Sequence, residues 1–264
     1  CQNTILKSNS VVFNRCCRMD KIKIICVVGA TASGKTALGV ELAKRLNGEI
    51  ISADSMQVYK GMSIATAAAD SEEQQGVPHH LLEFLEPSES FSVADFVKLA
   101  GEEISKIVSK GRLPVIVGGT GLFIDSLVQN ITFADAPANE DLRQELSEKS
   151  NDELYELLAR LDSDAAENLH KNNRKRVIRA LELYYSGVSK TEQNKKSRLG
   201  ENPYEALYIG INYLDRNNLY DRINKRVDLM VEKGLVEEAK HFENNCDITS
   251  RQAIGHKKLQ PYFN

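Results

Sequence analysis

One run of eight residues has the composition of a phosphate-binding loop. Residues Gly29-Ala30-Thr31-Ala32-Ser33-Gly34-Lys35-Thr36 match the pattern G-x-x-x-x-G-K-[ST], between the apolar run 22–28 and the helical pattern 37–46. In such a loop the backbone N–H groups and the helix N-terminus surround phosphate oxygens, the lysine adds positive charge, and the threonine hydroxyl can coordinate Mg²⁺. We therefore expect these residues to bind a diphosphate or polyphosphate, with Thr36 as a magnesium ligand.

Two more polar residues follow predicted strands. Asp54 follows the run 49–53, and Thr120 follows the run 113–117 and two glycines. The carboxyl ends of parallel strands meet at one edge of an open sheet, where ligands bind. At that edge Asp54 could accept a proton from an attacking group or hold Mg²⁺, or it could be a turn residue. Thr120 could orient a substrate amine or phosphate, or it could belong to a structural turn.

An acidic residue is missing where many phosphate-loop kinases and ATPases carry one. These enzymes have a metal-binding aspartate near the end of the strand that corresponds to residues 113–117. Here Gly118, Gly119 and Thr120 follow instead. A metal ion would then depend on Thr36 and on the oxygens of the ligand. The sequence therefore weakens the kinase and ATPase hypotheses.

Two arginines could complete an anion site. Arg222 and Arg226 are four residues apart in the helical segment 214–243, so they share one helix face. They could close over a diphosphate from the side opposite the phosphate loop. Surface pairs with Asp221 or Asp228 are the alternative.

The order of these elements predicts an α/β fold. Strands and helices alternate as strand 22–28, helix 37–46, strand 49–53, helix 93–110 and strand 113–117, which indicates a phosphate-loop NTPase-like parallel sheet flanked by helices. Between 125 and 202 the pattern is only helical, and a strand returns at 206–212. We predict a core of residues 21–124 and 203–264 and an all-helical insertion at 125–202. Residues 1–20 are predicted to be a disordered or non-native extension.

Composition and charge narrow the class of protein. The 42% hydrophobic and 27% charged residues are ordinary for a soluble globular chain, and no apolar run approaches the ~18 residues that span a bilayer. The five cysteines form no C-x-x-C pair, and His79 and His80 point apart, so neither a disulfide framework nor a metal site is indicated. We expect a cytoplasmic protein that is monomeric and does not contact a membrane.

Charge is distributed unevenly along the chain. The net charge is only −3, which by itself argues against a nucleic-acid partner. However, residues 170–198 contain nine lysines and arginines against two glutamates. Such a segment predicts a surface that faces a polyanion, although a solvated basic helix is the alternative.

Six segments together closely resemble the tRNA dimethylallyltransferases. They occur in the family's order at residues 29–36, 51–62, 76–81, 117–123, 174–182 and 251–255. The resemblance implies transfer of the dimethylallyl group of dimethylallyl diphosphate to N6 of the adenine next to the anticodon, with release of diphosphate. It also implies that Asp54 takes the N6 proton and that Thr120 helps to place the base.

The resemblance further implies residues that contact the anticodon stem-loop of tRNA. They are Asp54, Ser55, Met56, Gln57, Thr120, Arg143, Lys175, Arg176, Val177, Ile178 and Arg179. The chain departs from the family at Ala65-Thr66-Ala67-Ala68-Ala69, where a Gly-Thr-Ala-Lys-Pro sequence is usual. The family also continues beyond the position of Asn264 with further RNA-contacting residues, so we expect weak tRNA affinity.

Other functions remain open from the sequence. An adenylate isopentenyltransferase would use the same chemistry on a free nucleotide, but the context of Asp54 and the basic segment favour tRNA. A phosphate-loop kinase of small metabolites would use Asp54 as the base for a hydroxyl. An RNA-binding module without catalysis would give Lys35 no role.

Overall fold

The structure of the protein is a computed structural model that describes residues 21–131, 133, 139–187, 202–242 and 253–263. The extension expected over residues 1–20 lies outside this range. Parts of the basic segment and of the 251–255 motif lie outside it as well, namely Lys190, Lys195, Lys196, Arg198, Arg251 and Gln252.

A five-stranded sheet forms the centre of the fold. Its strands are β1 (Ile22–Gly29), β2 (Gly48–Ser52), β3 (His79–His80), β4 (Leu113–Gly118) and β5 (Tyr204–Ile211). The strand order is β3-β2-β4-β1-β5, and every neighbouring pair is parallel. The predicted α/β class with a parallel sheet is therefore confirmed. β3 was not predicted, because two residues are too few to show a strand pattern.

The helices alternate with the strands in the first half of the chain. Before the insertion they are α1 (Lys35–Arg45), α2 (Ser63–Thr66), α3 (Ser71–Gln74), α4 (Val93–Ser109) and α5 (Gly121–Val128). Later helices are α6 (Glu140–Ser147), α7 (Asn151–Leu161), α8 (Ser163–Glu167), α9 (Arg174–Tyr185), α10 (Arg216–Glu232), α11 (Leu235–His241) and α12 (Ile254–Leu259). The short helices α2 and α3, as well as α5, were not predicted.

Helices cover both faces of the central strands, which explains why β1 and β4 are apolar without alternation. On one face α1 lies so close that a Cβ on Gly39 would be 2.5 Å from Cγ2 of Val117. On the other face Phe96 and Ile104 of α4 and Ile124 of α5 are buried. This packing fixes the carboxyl edge of the sheet, where the candidate site lies.

Two glycines set helix boundaries. Gly34 has a φ of +96°, which glycine adopts without strain, and α1 starts directly after it, two residues before the predicted start. Gly234 has a φ of +99° and separates α10 from α11. The segment predicted as helical over 214–243 is therefore divided at Gly234.

The helices α6 to α9 share a hydrophobic cluster that is separate from the two clusters of the sheet. Its buried members are Leu146, Leu154, Leu158, Ala165, Ala166, Val177, Ala180 and Leu181. The predicted boundary at residue 125 falls inside α5, and Leu127 and Val128 of that helix pack in the core beside the sheet. The described insertion helices therefore begin later than predicted, at Glu140.

No helix in the described part of the chain combines the length and the apolar composition that crossing a membrane requires.

Candidate active site

The backbone of the phosphate loop depends on two glycines. A Cβ on Gly29 would lie 2.7 Å from the backbone oxygen of Ile211, so no larger residue fits between β1 and β5 at this point. Gly34 then forms the N-cap of α1. The chain therefore leaves β1 and turns at once into a helix whose N-terminus faces the carboxyl edge of the sheet.

Some polar side chains of the loop form hydrogen bonds within the protein, and one buried hydroxyl does not. Nζ of Lys35 donates a hydrogen bond of 2.7 Å to the carbonyl oxygen of Ala30. The hydroxyl of Ser33 is buried and has no hydrogen-bond partner among the described residues. Thr36 is half-buried in the first turn of α1. A cradle with an unsatisfied hydroxyl at a helix N-terminus suits a ligand rich in oxygen atoms.

Asp54 and Thr120 are held together by the backbones that follow β2 and β4. The N–H of Thr120 donates to the carbonyl of Ala53 at 3.3 Å, and the N–H of Ser55 donates to Oγ1 of Thr120 at 3.2 Å. Oδ1 of Asp54 accepts a hydrogen bond of 2.9 Å from the N–H of Met56. One carboxylate oxygen of Asp54 is thereby fixed, which orients the other.

The end of β4 has no space for a side chain. A Cβ on Gly118 would lie 2.1 Å from the carbonyl oxygen of Ala53, so an aspartate at this position would collide with β2. The next residue, Gly119, lies beside the Lys35 ammonium, with its Cβ position 3.8 Å from Nζ. This packing therefore excludes an acidic side chain at position 118.

Three charged groups interact where the strands end. Burial lowers the pKa of Lys35, while the attraction of Asp54 opposes this shift and the repulsion of Arg226 adds to it. Burial also lowers the pKa of Arg226, against the attraction of Asp54 and Glu73. Lys35, Asp54 and Arg226 thus act on one another, and the two cations give the site an attraction for anions.

The second predicted arginine touches the phosphate loop itself. Nε of Arg222 donates a hydrogen bond of 2.9 Å to the carbonyl of Ala32, and its guanidinium lies 5.9 Å from the centre of the Tyr213 ring. Arg226 donates to the carbonyl of Thr66 at 3.4 Å. Both arginines of α10 therefore contact backbone carbonyls around the site, rather than the neighbouring aspartates considered as alternative partners.

Gln57 is three residues after Asp54, and its side chain forms hydrogen bonds within the protein. Its amide nitrogen donates to the carbonyls of Thr66 and Ala67 at 3.2 and 3.0 Å, and its oxygen accepts from the Ser52 hydroxyl at 3.1 Å. Met56, another residue of this segment, packs against the core. The roles of Ser52 and Thr66 were not predicted from the sequence, because no local pattern reveals hydrogen bonds to a helix as short as α2.

The residues of the insertion expected to contact RNA occupy different environments. Lys175 and Arg176 are exposed, and Ile178 is half-buried. Val177 is fully buried in the helical cluster, so its side chain cannot touch RNA as expected. The helical period explains this, because consecutive residues of α9 point to different sides.

Two further arginines of this group hold a buried carboxylate. Nε of Arg143 lies 2.6 Å from Oε1 of Glu182, and a nitrogen of Arg179 lies 3.2 Å from its Oε2. Glu182 is only 2% exposed. Both arginines are partly exposed, so each combines an internal ion pair with a surface position.

The two adjacent histidines have separate partners. Nε2 of His80 lies 2.6 Å from Glu49, and its Nδ1 lies 3.0 Å from Glu103. Nδ1 of His79 is 2.8 Å from the carbonyl of Val77. Among the described residues, no group of three or more histidine, cysteine or acidic side chains is arranged to hold a metal ion.

Comparisons with known proteins place this geometry in a family. A family model described as IPP transferase matches residues 57–264. The tRNA dimethylallyltransferase of Anoxybacillus flavithermus is 50% identical over 244 residues, which are 91% of this chain and 78% of that protein. The Bacillus subtilis enzyme of the same name is 46% identical over 92% of this chain and 79% of its own.

Solved structures are similar as well. The full-length tRNA isopentenylpyrophosphate transferase from Bacillus halodurans is 45% identical with a TM-score of 0.64, and the match covers 92% of this chain and 78% of that one. A eukaryotic dimethylallyltransferase acting on tRNA is 29% identical with a TM-score of 0.79, over 92% and 63% of the two chains. By the extent of these matches, the chain belongs to the IPP transferase family.

Proposed function

We propose that this chain transfers the dimethylallyl group of dimethylallyl diphosphate to N6 of the adenine at position 37 of tRNA, next to the anticodon, and releases diphosphate. The observation that carries this proposal is that the segment after β4 lies beside both Lys35 and the segment that carries Asp54: the Cβ position of Gly119 is 3.8 Å from Nζ of Lys35, and Thr120 is bonded to Ala53 and Ser55. The site combines anion-binding groups with one carboxylate in a position to accept a proton.

The cations serve the leaving group. As the bond between the allyl carbon and the diphosphate oxygen breaks, negative charge grows on the diphosphate, and fixed positive groups stabilise it. Lys35 and the backbone of residues 29–36 lie on one side of this group, and Arg222 and Arg226 approach from α10. The loop thus promotes departure of a diphosphate without transferring a phosphoryl group.

Asp54 serves the nucleophile. The N6 lone pair forms the new bond to the allyl carbon, the carbon–oxygen bond breaks with its electrons on diphosphate, and the N6 proton passes to Asp54. The N–H of Met56 holds one oxygen of that carboxylate. Thr120, fixed against Ser55 at the end of β4, is placed to orient the base.

The residues present fit a magnesium ion. Thr36 offers a hydroxyl in the first turn of α1, and the unpartnered Ser33 hydroxyl lies in the same loop. Because the described residues offer no acidic cluster, the remaining ligands would be diphosphate oxygens and water, as Mg²⁺ often takes. When bound, the ion neutralises part of the charge on the leaving diphosphate.

The insertion serves the RNA. The exposed Lys175 and Arg176 on α9, with the partly exposed Arg143 and Arg179, supply positive charge for phosphates. The target adenine must leave its stack to reach Asp54, which costs a few kcal/mol and is easier in a loop than in a duplex. We further propose that the protein acts as a cytoplasmic monomer. Sedimentation of the free protein would measure its oligomeric state.

One assay tests the whole proposal. The protein is incubated with labelled dimethylallyl diphosphate and with tRNA, AMP or ATP in parallel reactions. We expect label in tRNA and not in the free nucleotides. Equal labelling of AMP would instead favour an adenylate isopentenyltransferase, and absence of transfer to any acceptor would overturn the prenyltransferase assignment.

A further inference from the structure

Both hydrogen-bond donors of the Gln57 side chain are used inside the protein, and its oxygen accepts one internal hydrogen bond. Its nitrogen carries two hydrogens, and these face the carbonyls of Thr66 and Ala67 at 3.2 and 3.0 Å. Its oxygen faces the Ser52 hydroxyl at 3.1 Å. Carbonyl oxygens can only accept, so the two partners also fix which end of the amide points toward them. The complete amide is therefore part of an internal network.

This network joins the strand that carries Asp54 to the turn that receives Arg226. Ser52 is the last residue of β2, two positions before Asp54. The carbonyl of Thr66, which Gln57 contacts, also accepts the hydrogen bond from Arg226. Two donors from distant parts of the chain thus meet on one oxygen atom.

The turn needs such support. Ala67, which ends α2, has a φ of +47°, a left-handed conformation that costs a residue with a Cβ about 1 kcal/mol. At the other end of α2, the Glu238 carboxylate accepts hydrogen bonds from the N–H groups of Ile64 and Ala65, both at 2.9 Å. Gln57 supplies the matching contacts at the Thr66 and Ala67 carbonyls. Without them, the Ala67 carbonyl would lose its hydrogen bond from Gln57, and the Thr66 carbonyl would keep only the longer one from Arg226 among the residues that the structure describes.

We propose that Gln57 is a positioning residue that sets the direction of Arg226 through the Thr66 carbonyl. This inference rests on the proposed function, because Arg226 is the group that meets the diphosphate. Gln57 keeps the Thr66 oxygen in place, that oxygen restrains the guanidinium, and the guanidinium stays near Asp54 and Lys35. The amide therefore acts on binding of the prenyl donor.

The first test removes the amide and keeps the length of the side chain. The variant Gln57→Met should raise the dissociation constant of dimethylallyl diphosphate, and that of inorganic diphosphate, about tenfold, because hydrogen bonds that restrain Arg226 are lost. The dissociation constant of tRNA should not change. Calorimetry with each diphosphate and filter binding with tRNA measure the two effects, and Gln129→Met, at an exposed position, is the matched control.

A double-mutant cycle separates positioning from a general loss of structure. If Gln57 acts through Arg226, Gln57→Met should have little further effect on diphosphate binding once Arg226 is replaced by methionine. Additive effects of the two changes would overturn the proposal. Weaker tRNA binding by Gln57→Met with unchanged diphosphate binding would also overturn it, in favour of a direct RNA contact.

A second variant guards against misfolding of the first. Ser52→Ala removes only the hydrogen bond to the Gln57 oxygen, and it should weaken diphosphate binding in the same direction and by a smaller factor. An unchanged affinity in a folded Ser52→Ala protein, together with a Gln57→Met protein that does not fold, would count against the proposal. Binding of inorganic diphosphate does not require tRNA or any other prenyl acceptor. The double-mutant cycle therefore tests the role of Gln57 even if the wild-type protein does not label tRNA. Failure to label tRNA would overturn the proposed transfer and not the role of Gln57.

Discussion

Lys35 and Thr36 serve the ligand rather than the fold. Within the described part of the chain, Nζ of Lys35 donates a hydrogen bond to the Ala30 carbonyl, and Thr36 is half-buried at the start of α1. Lys35→Ala and Thr36→Ala should each lower the rate of prenyl transfer by the equivalent of about 2–4 kcal/mol of transition-state stabilisation. Steady-state kinetics and thermal melting measure the two properties. The exposed Lys98→Ala is the control, and near-normal turnover of either variant would contradict the diphosphate assignment.

Asp54 has a chemical role that can be separated from binding. Asp54→Asn keeps the size of the side chain and removes the proton acceptor, so kcat should fall by roughly 10²-fold to 10⁴-fold. Affinity for dimethylallyl diphosphate should stay equal or improve, because the lost charge no longer opposes the anion near Lys35 and Arg226. Single-turnover rates and calorimetry measure the two, with Asp228→Asn as the control. A large loss of diphosphate affinity would identify Asp54 as a metal ligand instead.

At the level of single residues, the sequence was most informative for polar residues that directly follow a predicted strand. Lys35, Asp54, Thr120, Arg222 and Arg226 were expected to meet, and the structure brings them to one edge of the sheet. The contacts of Gln57 and Glu182 were not foreseeable in the same way. They depend on side chains and carbonyls that only tertiary packing brings together, and local spacing contains no record of such contacts.

The helix α9 divides its cations between two tasks. Lys175 and Arg176 are exposed, whereas Arg179 pairs with the buried Glu182. Lys175→Ala with Arg176→Ala should weaken tRNA binding and reduce the slope of log affinity against log salt by about 0.7 per lost phosphate contact, with little change in melting temperature. Filter binding across a salt series measures this slope.

Replacement of Arg179 provides the contrast within the same helix. Arg179→Ala should also lower the melting temperature, because it removes a partner of a buried carboxylate. If the double variant leaves the salt slope unchanged, the exposed face of α9 is not the RNA surface. Prenyl diphosphate binding should be unaffected in the double variant and in Arg179→Ala.

Element prediction succeeded for long periodic segments and failed for short ones. The helix predicted at 93–110 spans Val93–Ser109 in the structure, and the strand predicted at 113–117 is one residue longer. By contrast, β3 and α2 have two and four residues and are held by long-range bonds, such as those from Glu238 to the start of α2. Such elements exist because of their partners and not because of local propensity.

For the whole molecule, the alternation of strands and helices was enough to predict the parallel sheet, because crossover connections leave few other arrangements. The strand order was not predicted. β4 lies between β2 and β1, and at its end Gly118 approaches Ala53, the residue that follows β2. The limits of the insertion were also less certain from sequence, since α5 is helical but belongs to the core of the sheet.

A buried ionic network at the opposite edge of the sheet connects several elements. Glu49 of β2 is 1% exposed, and its carboxylate meets Lys110, Arg112 and His80 at 3.2, 2.7 and 2.6 Å. Burial disfavours the charge, but hydrogen bonds from His80 and Lys110 outweigh it and hold the pKa of Glu49 below its ordinary value. Because the folded pKa is depressed, the stabilisation is present above the unfolded pKa and is lost as pH falls through the folded value.

Glu49→Gln should therefore destabilise the fold at neutral pH and flatten its acid dependence. Loss of the charge-assisted hydrogen bonds should lower the free energy of unfolding by about 1–3 kcal/mol. The loss is small for a buried ion pair because Lys110 and Arg112 can turn to solvent. Urea unfolding of both proteins between pH 7 and pH 3 measures the difference, which should shrink as the wild-type carboxylate becomes protonated. A difference that stays constant over this range would show that packing, and not the charge of Glu49, joins β2 to β3 and to the end of α4.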